Sequence, residues 1–171
     1  MSIIRATVLF ILLSISTACS VTAQVIFEVP QNVQLNVKED YPKYTADIIT
    51  AAKWLEETDL DKQPEKRREV TAFAMKWVLG CPMFDVMITE QLSKIYGKNQ
   101  QLLALYLISY SAKMLETNNY SDKFTATKAA VTSMMNVYKK GIDMLKTKEM
   151  GKLIKLNEEG KLDDYIKQKL M

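Results

Sequence analysis

The chain has 171 residues, 25% of them charged with a net charge of +3, and it contains two Cys, five Gly and no His. Without histidine there is no Ser-His-Asp or Cys-His nucleophile, no His-carboxylate metal set and no imidazole proton shuttle. The glycines stand singly, so the glycine-rich phosphate-binding motifs are absent, and the near-balanced charge with no long basic tract points away from nucleic acid.

Residues 1–23 read as an export signal. Arg5 supplies the positive start, Ala6 to Ile15 is a short apolar run, and Ser16 to Ala23 is small and polar. The run is shorter than the ~20 residues that cross a bilayer. Small side chains at the last and third-last positions of Val21-Thr22-Ala23 place the expected cleavage between Ala23 and Gln24. A competing reading takes Ser16-Thr17-Ala18-Cys19 as a lipobox, with Cys19 the anchored first residue of a membrane lipoprotein. Ala18 fits that pattern, whereas Ser16 stands where an aliphatic residue is usual. The preferred expectation is a periplasmic or secreted product with no transmembrane span in the mature chain. In that form Cys81 has no intrachain partner, so stability has to come from a hydrophobic core. A chain of about 150 residues can bury one, as a single domain.

Residues 24–41 read as an extended arm. Val33, Leu35 and Val37 alternate with Gln34, Asn36 and Lys38, the period of two that marks extended chain. The arm is expected either to pair as a short hairpin across Pro30-Gln31-Asn32 or to lie along the helical body.

Residues 42–171 read as one helical domain punctuated by proline and glycine. Pro42, Pro64 and Pro82 each precede an amphipathic run, and Gly80, Gly97 and Gly141 each follow one, where positive φ is needed. The run Pro42–Glu57 brings Tyr44, Ile48, Ala51 or Ala52, and Leu55 to one face. Pro64–Leu79 does the same with Val70, Phe73, Ala74, Trp77 and Val78, and sets Glu65 and Arg68 to pair. The third run, Met83–Tyr96, is expected to be helical from about Asp85, although Val86-Met87-Ile88-Thr89 has extended character. Gln100–Thr117 contains LLALYLISY and is apolar nearly all round, which predicts a central helix covered on several sides. Ser121 is expected to cap the next helix, which runs to Lys140 with Phe124, Val131, Met134 or Met135, and Tyr138 inward. The tail from Ile142 carries shorter runs interrupted at Gly151 and Gly160. The sum is an all-α fold, a compact antiparallel bundle of about five to six helices with an extended N-terminal arm. A short solenoid-like stack of helical pairs is the alternative. It is weakened because Lys53-Trp54-Leu55 and Lys76-Trp77-Val78 recur at 23 residues and lack the tetratricopeptide signature.

Few residues suggest chemistry. Cys81, between Gly80 and Pro82, would sit at the N-cap of the following helix, where the dipole favours a thiolate; with no histidine base, a buried residue at a tight turn is the simpler reading. Cys81, Met83 and Met87 form C-x-M-x-x-x-M, with the two methionines four apart on one helical face, a soft set suited to Cu(I). Met75, Met114, Met134 and Met135 show methionine used freely as core filler, and core packing is preferred here too. Glu56-Glu57, Glu158-Glu159 and Asp163-Asp164 are adjacent pairs, which diverge around a helix and cannot converge on one substrate bond. Asp59 and Asp61 extend an acidic turn without the spacing of a calcium loop. Trp54 stands two residues off its apolar stripe, at an expected groove edge, and Tyr106 and Tyr110 share a helical face; such rings line grooves or, more commonly, fill cores. No catalytic residue, metal site or cofactor is assigned.

The stretch Ala52-Lys53-Trp54-Leu55-Glu56-Glu57-Thr58-Asp59-Leu60, with Pro64-Glu65-Lys66-Arg67-Arg68, Phe73, Lys76-Trp77 and Gly80-Cys81-Pro82, resembles small secreted proteins of Bacteroidetes-type bacteria that carry no assigned activity. The resemblance covers roughly a third of the mature chain. It implies secretion and a helical fold and brings no catalytic or ligand-binding residue. The expected function is therefore that of an exported, non-enzymatic helical module binding an unidentified protein or small ligand. The alternative is an envelope enzyme using Cys81, or Lys and carboxylate groups brought together only by the fold.

Overall fold

Helices form where apolar residues recur at three and four positions, and four of them end at a residue in left-handed or extended backbone: Thr58, Cys81, Asn118 and Gly141. The structure is a computed structural model and describes residues 26–171. The export signal, Cys19 and the junction of Ala23 with Gln24 lie outside the described residues. Seven α-helices follow a 3-10 turn at Lys38–Tyr44: α1 (Thr45–Glu57), α2 (Pro64–Gly80), α3 (Glu90–Tyr96), α4 (Gln100–Thr117), α5 (Lys123–Lys140), α6 (Lys148–Glu158) and α7 (Leu162–Lys169). No strand occurs among the described residues, so the chain is an all-α bundle with one or two more helices than expected.

The central helix is the one that is apolar all round. α4 packs against α5, α1 and α2, and Leu102, Leu105, Tyr106, Ile108 and Met114 are buried along it. Arg67, in the first turn of α2, reaches the C-terminal carbonyls of α1, so these two helices run in opposite directions. Asn136 and Lys140, late in α5, also bond to Glu56 at the end of α1, so α1 and α5 run together. The short helices α3, α6 and α7 pack on α4, α5 and one another.

Asn99 joins these two sets of helices. Its side-chain amide donates to the Leu145 carbonyl at 2.9 Å, and its carbonyl accepts the Leu145 N–H at 2.9 Å, as a second peptide group would. Asn99 is only 2% exposed, so its own amide depends on these partners, although Leu145 itself is exposed. Two residues on, Thr147 donates its hydroxyl to the Ile95 carbonyl at 3.1 Å and its backbone N–H to the Tyr138 hydroxyl at 2.9 Å.

The arm lies along the body and does not form a hairpin. Phe27 is buried with its ring centroid 6.2 Å from that of Phe73, and Val33 and Leu35 pack half-buried on the core. Val37 points outward, which ends the alternation. The arm then enters its 3-10 turn through Asp40, whose carboxylate accepts the N–H groups of Asn36 and Val37 at 3.0 and 3.2 Å. The Lys43 ammonium at 2.7 Å, followed by those backbone donors, holds the Asp40 carboxyl below the usual carboxylate range.

Several expected boundaries move, each for a local reason. α1 begins at Thr45, because Pro42 falls inside the 3-10 turn. α3 begins at Glu90 and not at Asp85: Thr89 is extended and its hydroxyl oxygen accepts the Leu92 N–H at 3.1 Å, a cap stronger than anything upstream. Before it, Phe84 is held against Tyr120, Trp77 and Tyr110, with centroids 5.4, 6.3 and 6.5 Å away, and the β-branched Val86 and Ile88 favour the non-helical path. No helix starts at Pro82. Asp122, not Ser121, caps α5 by accepting the Thr125 N–H at 3.0 Å. Gly151 lies within α6, while Gly160 does take the positive φ that ends it.

Gly80 is needed for space, not for φ. Positive φ occurs at Gly97, Gly141 and Gly160 only among the glycines of the described residues, and α2 runs through Gly80. A side chain there would collide with the Tyr41 hydroxyl. Tyr41 has little room to retreat: it is buried, and its carbonyl accepts the Trp77 indole N–H at 3.0 Å.

Candidate functional site

The residues expected to carry chemistry are not brought together. Cys81 is the residue on which α2 ends, so it sits at a negative helix end and not at an N-cap. Burial pushes its thiol above the ordinary cysteine range, with the backbone N–H groups of Met83 and Phe84 opposing that only in part. Met83 is half-buried and Met87 is exposed on irregular chain, so the two do not share a helical face as the Cu(I) reading required. Among the described residues, no three His, Cys, Asp or Glu side chains are grouped to hold a metal ion.

The aromatic residues are core. Trp54 is 1% exposed, which removes it from any groove edge, because its off-stripe position turns it toward α2. Lys66 and Arg67 lie over its ring, 5.9 and 5.6 Å from the centroid. Tyr106 and Tyr110 do share a face, with centroids 6.3 Å apart, and both are buried. Burial raises both hydroxyls, that of Tyr110 to about 12.

The acidic turn after α1 has a structural answer that the sequence left unread. The last turn of α1 carries no basic residue, and Glu56, Glu57 and Asp59 place negative charge at the negative end of the helix dipole. Two cations from other helices correct this. The Arg67 guanidinium donates to the carbonyls of Leu55 at 3.2 Å, Thr58, and Asp59 at 3.5 Å. Lys140 donates to the carbonyls of Glu56 and Glu57 at 2.9 and 2.8 Å and pairs with the Asp59 carboxylate at 3.0 Å. Arg67 remains protonated although burial lowers its pKa. Its Nε, like the Thr58 hydroxyl, is buried with no partner among the described residues.

Beside this cap lies a pocket of about 430 Å³ between α1, α2, α4 and α5. Its floor is Leu55, Leu105 and Val137, all buried, and Leu60, Met75, Ala72 and Ala104 form its walls. Where α2 meets α4 the lining residues Ala72 and Ala104 contribute only methyl groups, too short to close the seam. The mouth is exposed at Pro64, Arg68 and Gln101. Among the described residues, Arg67 and Arg68 are the only ionisable residues of the lining, and no acidic residue lines it. The volume falls in the ~300–1,000 Å³ range of small-molecule sites, and an apolar lining with a few polar groups is their usual composition.

Two other hollows are less suited to a ligand. A polar cleft of about 220 Å³ crosses α1, α4 and α5, with Lys53, Glu56, Lys113 and Glu116 on its rim. In its floor the Ser109 and Ser133 hydroxyls bond to each other at 3.0 Å, which satisfies them without a ligand. A space of about 100 Å³ beside Tyr106, Tyr110 and Leu170 is too small for anything beyond a few waters. No helix among the described residues is long and apolar enough to cross a membrane.

The apolar pocket was not legible in the sequence, since its lining comes from residues as distant as Leu55 and Val137 and contains no motif. Comparison with protein-family models, with curated proteins and with solved structures finds no match to this chain.

Proposed function

We propose that the chain is an exported, non-enzymatic helical module that binds a small ligand in the pocket between α1, α2, α4 and α5. The observation that carries the reading is the pocket itself: an apolar space of about 430 Å³, open to solvent, beside a core in which Trp54, Ile108 and Met134 are fully buried. Export rests on the leader, with cleavage between Ala23 and Gln24 and a periplasmic or extracellular destination; a lipid anchor at Cys19 is the second route to the same compartment. The enzymatic alternative is weakened by the position of Cys81, where both burial and the helix dipole disfavour the thiolate.

The test is to fill the pocket. Ala104 is half-buried on its wall, so Ala104→Phe places a ring in existing space and leaves the core beneath intact. An uncharged solvatochromic dye such as Nile red is expected to bind the native chain and to lose about tenfold or more in affinity to the variant. The unfolding free energy is expected to stay within about 0.5 kcal/mol of native. Undiminished dye binding by a folded Ala104→Phe chain counts against the pocket as the binding surface.

A further inference from the structure

The charges around the pocket mouth narrow the ligand class. Its interior offers aliphatic contact from Leu55, Leu60, Met75 and Leu105, and among the described residues neither an aromatic ring nor an acidic group lines it. A positively charged ligand would meet no counter-charge from that lining. Arg68 stands at the mouth on the first turns of α2, 73% exposed and, among the described residues, paired with Glu65, which is itself 75% exposed. Exposed pairs of this kind contribute about 1 kcal/mol or less, so the Arg68 guanidinium is free to exchange Glu65 for another anion. Arg67 lines the same pocket, and its guanidinium, already bonded to the carbonyls at the end of α1, adds a fixed positive charge beneath the mouth. Gln101 adds a polar side chain to the rim, its amide nitrogen donating to the Asp143 carbonyl at 3.1 Å.

We infer that the pocket takes a single-chain amphiphile, with an aliphatic tail lying on Leu55, Leu105 and Met75 and an anionic head at Arg68 and Arg67. The inference rests on the binding role proposed above and specifies the ligand. The head is an oxyanion, carboxylate or phosphate monoester; either can pair with the exposed Arg68 guanidinium and is favoured by the Arg67 charge beside it.

Calorimetric titration of the full chain, with every probe held below its micellar concentration, separates the parts of this claim. The probes are octanoate, decanoate, decyl phosphate, decanol and decyltrimethylammonium. Each methylene added to a buried tail strengthens binding by about fourfold, so decanoate is expected to bind about fifteenfold tighter than octanoate. Decanoate is expected to bind about fivefold tighter than decanol, with the preference shrinking at high salt, and decyltrimethylammonium to bind weaker than decanol. If decyl phosphate exceeds decanoate the head is a phosphate monoester, and in the reverse order it is a carboxylate; either order supports an anionic head. Arg68→Gln is expected to abolish the preference for decanoate over decanol, a result that a merely structural Arg68 would not produce. Equal affinity for decanoate and decanol in the native chain overturns the anionic head and leaves the pocket as a binding site. No binding by any of the five probes overturns the pocket reading as well.

Discussion

Replacing Arg67 by methionine is expected to lower the unfolding free energy by about 2–4 kcal/mol, measured as a drop in denaturant midpoint at unchanged slope. The guanidinium donates to the carbonyls of Leu55, Thr58 and Asp59, groups that methionine cannot satisfy, and it lies over the buried Trp54 ring. Charge-assisted bonds to such carbonyls are worth about 1.5–3 kcal/mol each when their loss leaves the acceptors unpaired, and the cation–π contact adds about 1 kcal/mol. Not all of this is lost, because the bonds are only part-buried, so water can reach some of these carbonyls, and Lys140 still sets a positive charge at the end of α1. Arg67→Lys is expected to recover less than half of the deficit, since one ammonium cannot reproduce a planar fork that reaches three carbonyls. A methionine variant within about 0.5 kcal/mol of native would show that water caps α1 as well as Arg67 does.

Asn99→Ala is expected to cost about 2 kcal/mol, measured in the same way. The substitution removes two hydrogen bonds to the Leu145 N–H and carbonyl, each worth about 0.5–1.5 kcal/mol where water can partly replace them, and leaves a gap at a buried position. Asn99→Asp gives a finer reading of the same contact. Its ionised carboxylate accepts the Leu145 N–H but faces the Leu145 carbonyl, acceptor against acceptor. Its protonated form restores a donor and mimics asparagine. The folded chain therefore holds this carboxyl above its unfolded value. A group whose folded pKa is raised contributes fully below the unfolded pKa and loses that contribution as pH rises through the folded pKa. The deficit of Asn99→Asp relative to native is expected to be small near pH 4 and to grow toward pH 7. A deficit independent of pH over that range would mean that Asn99 acts by packing and not by its two hydrogen bonds.

These two residues also mark the limit of what the sequence discloses. Local signals carried the helices well: Pro64 does open α2, α4 spans the residues predicted for it and occupies the centre, and Gly141 closes α5 in left-handed backbone. The pairing of Glu65 with Arg68 is likewise present. Such features depend on neighbours three or four residues away, which any reader of the chain can count. Arg67 and Asn99 act across 12 and 46 residues, and nothing adjacent to them announces their partners. The stretch from Cys81 to Thr89 failed for the same reason. Its helical pattern is adequate, but Phe84 is drawn into a cluster with Trp77, Tyr110 and Tyr120, and the Thr89 cap sets the start of α3. Gly80 was read by the rule that glycine supplies positive φ, when its role is to admit the Tyr41 hydroxyl from a separate element. The pocket is the extreme case, because it consists of what Ala72 and Ala104 do not fill.

The role of that pocket is tested most directly by mapping amide chemical shifts of the full chain during titration with decanol, a probe whose uncharged head leaves the anionic-ligand question aside. Saturable shifts are expected at Thr71, Ala72 and Met75 on α2 and at Gln101 and Ala104 on α4, the residues that line the pocket. Shifts confined to the exposed apolar side chains Leu79, Met87 and Ile88, with the pocket amides unmoved, would contradict a binding role for the space between these helices.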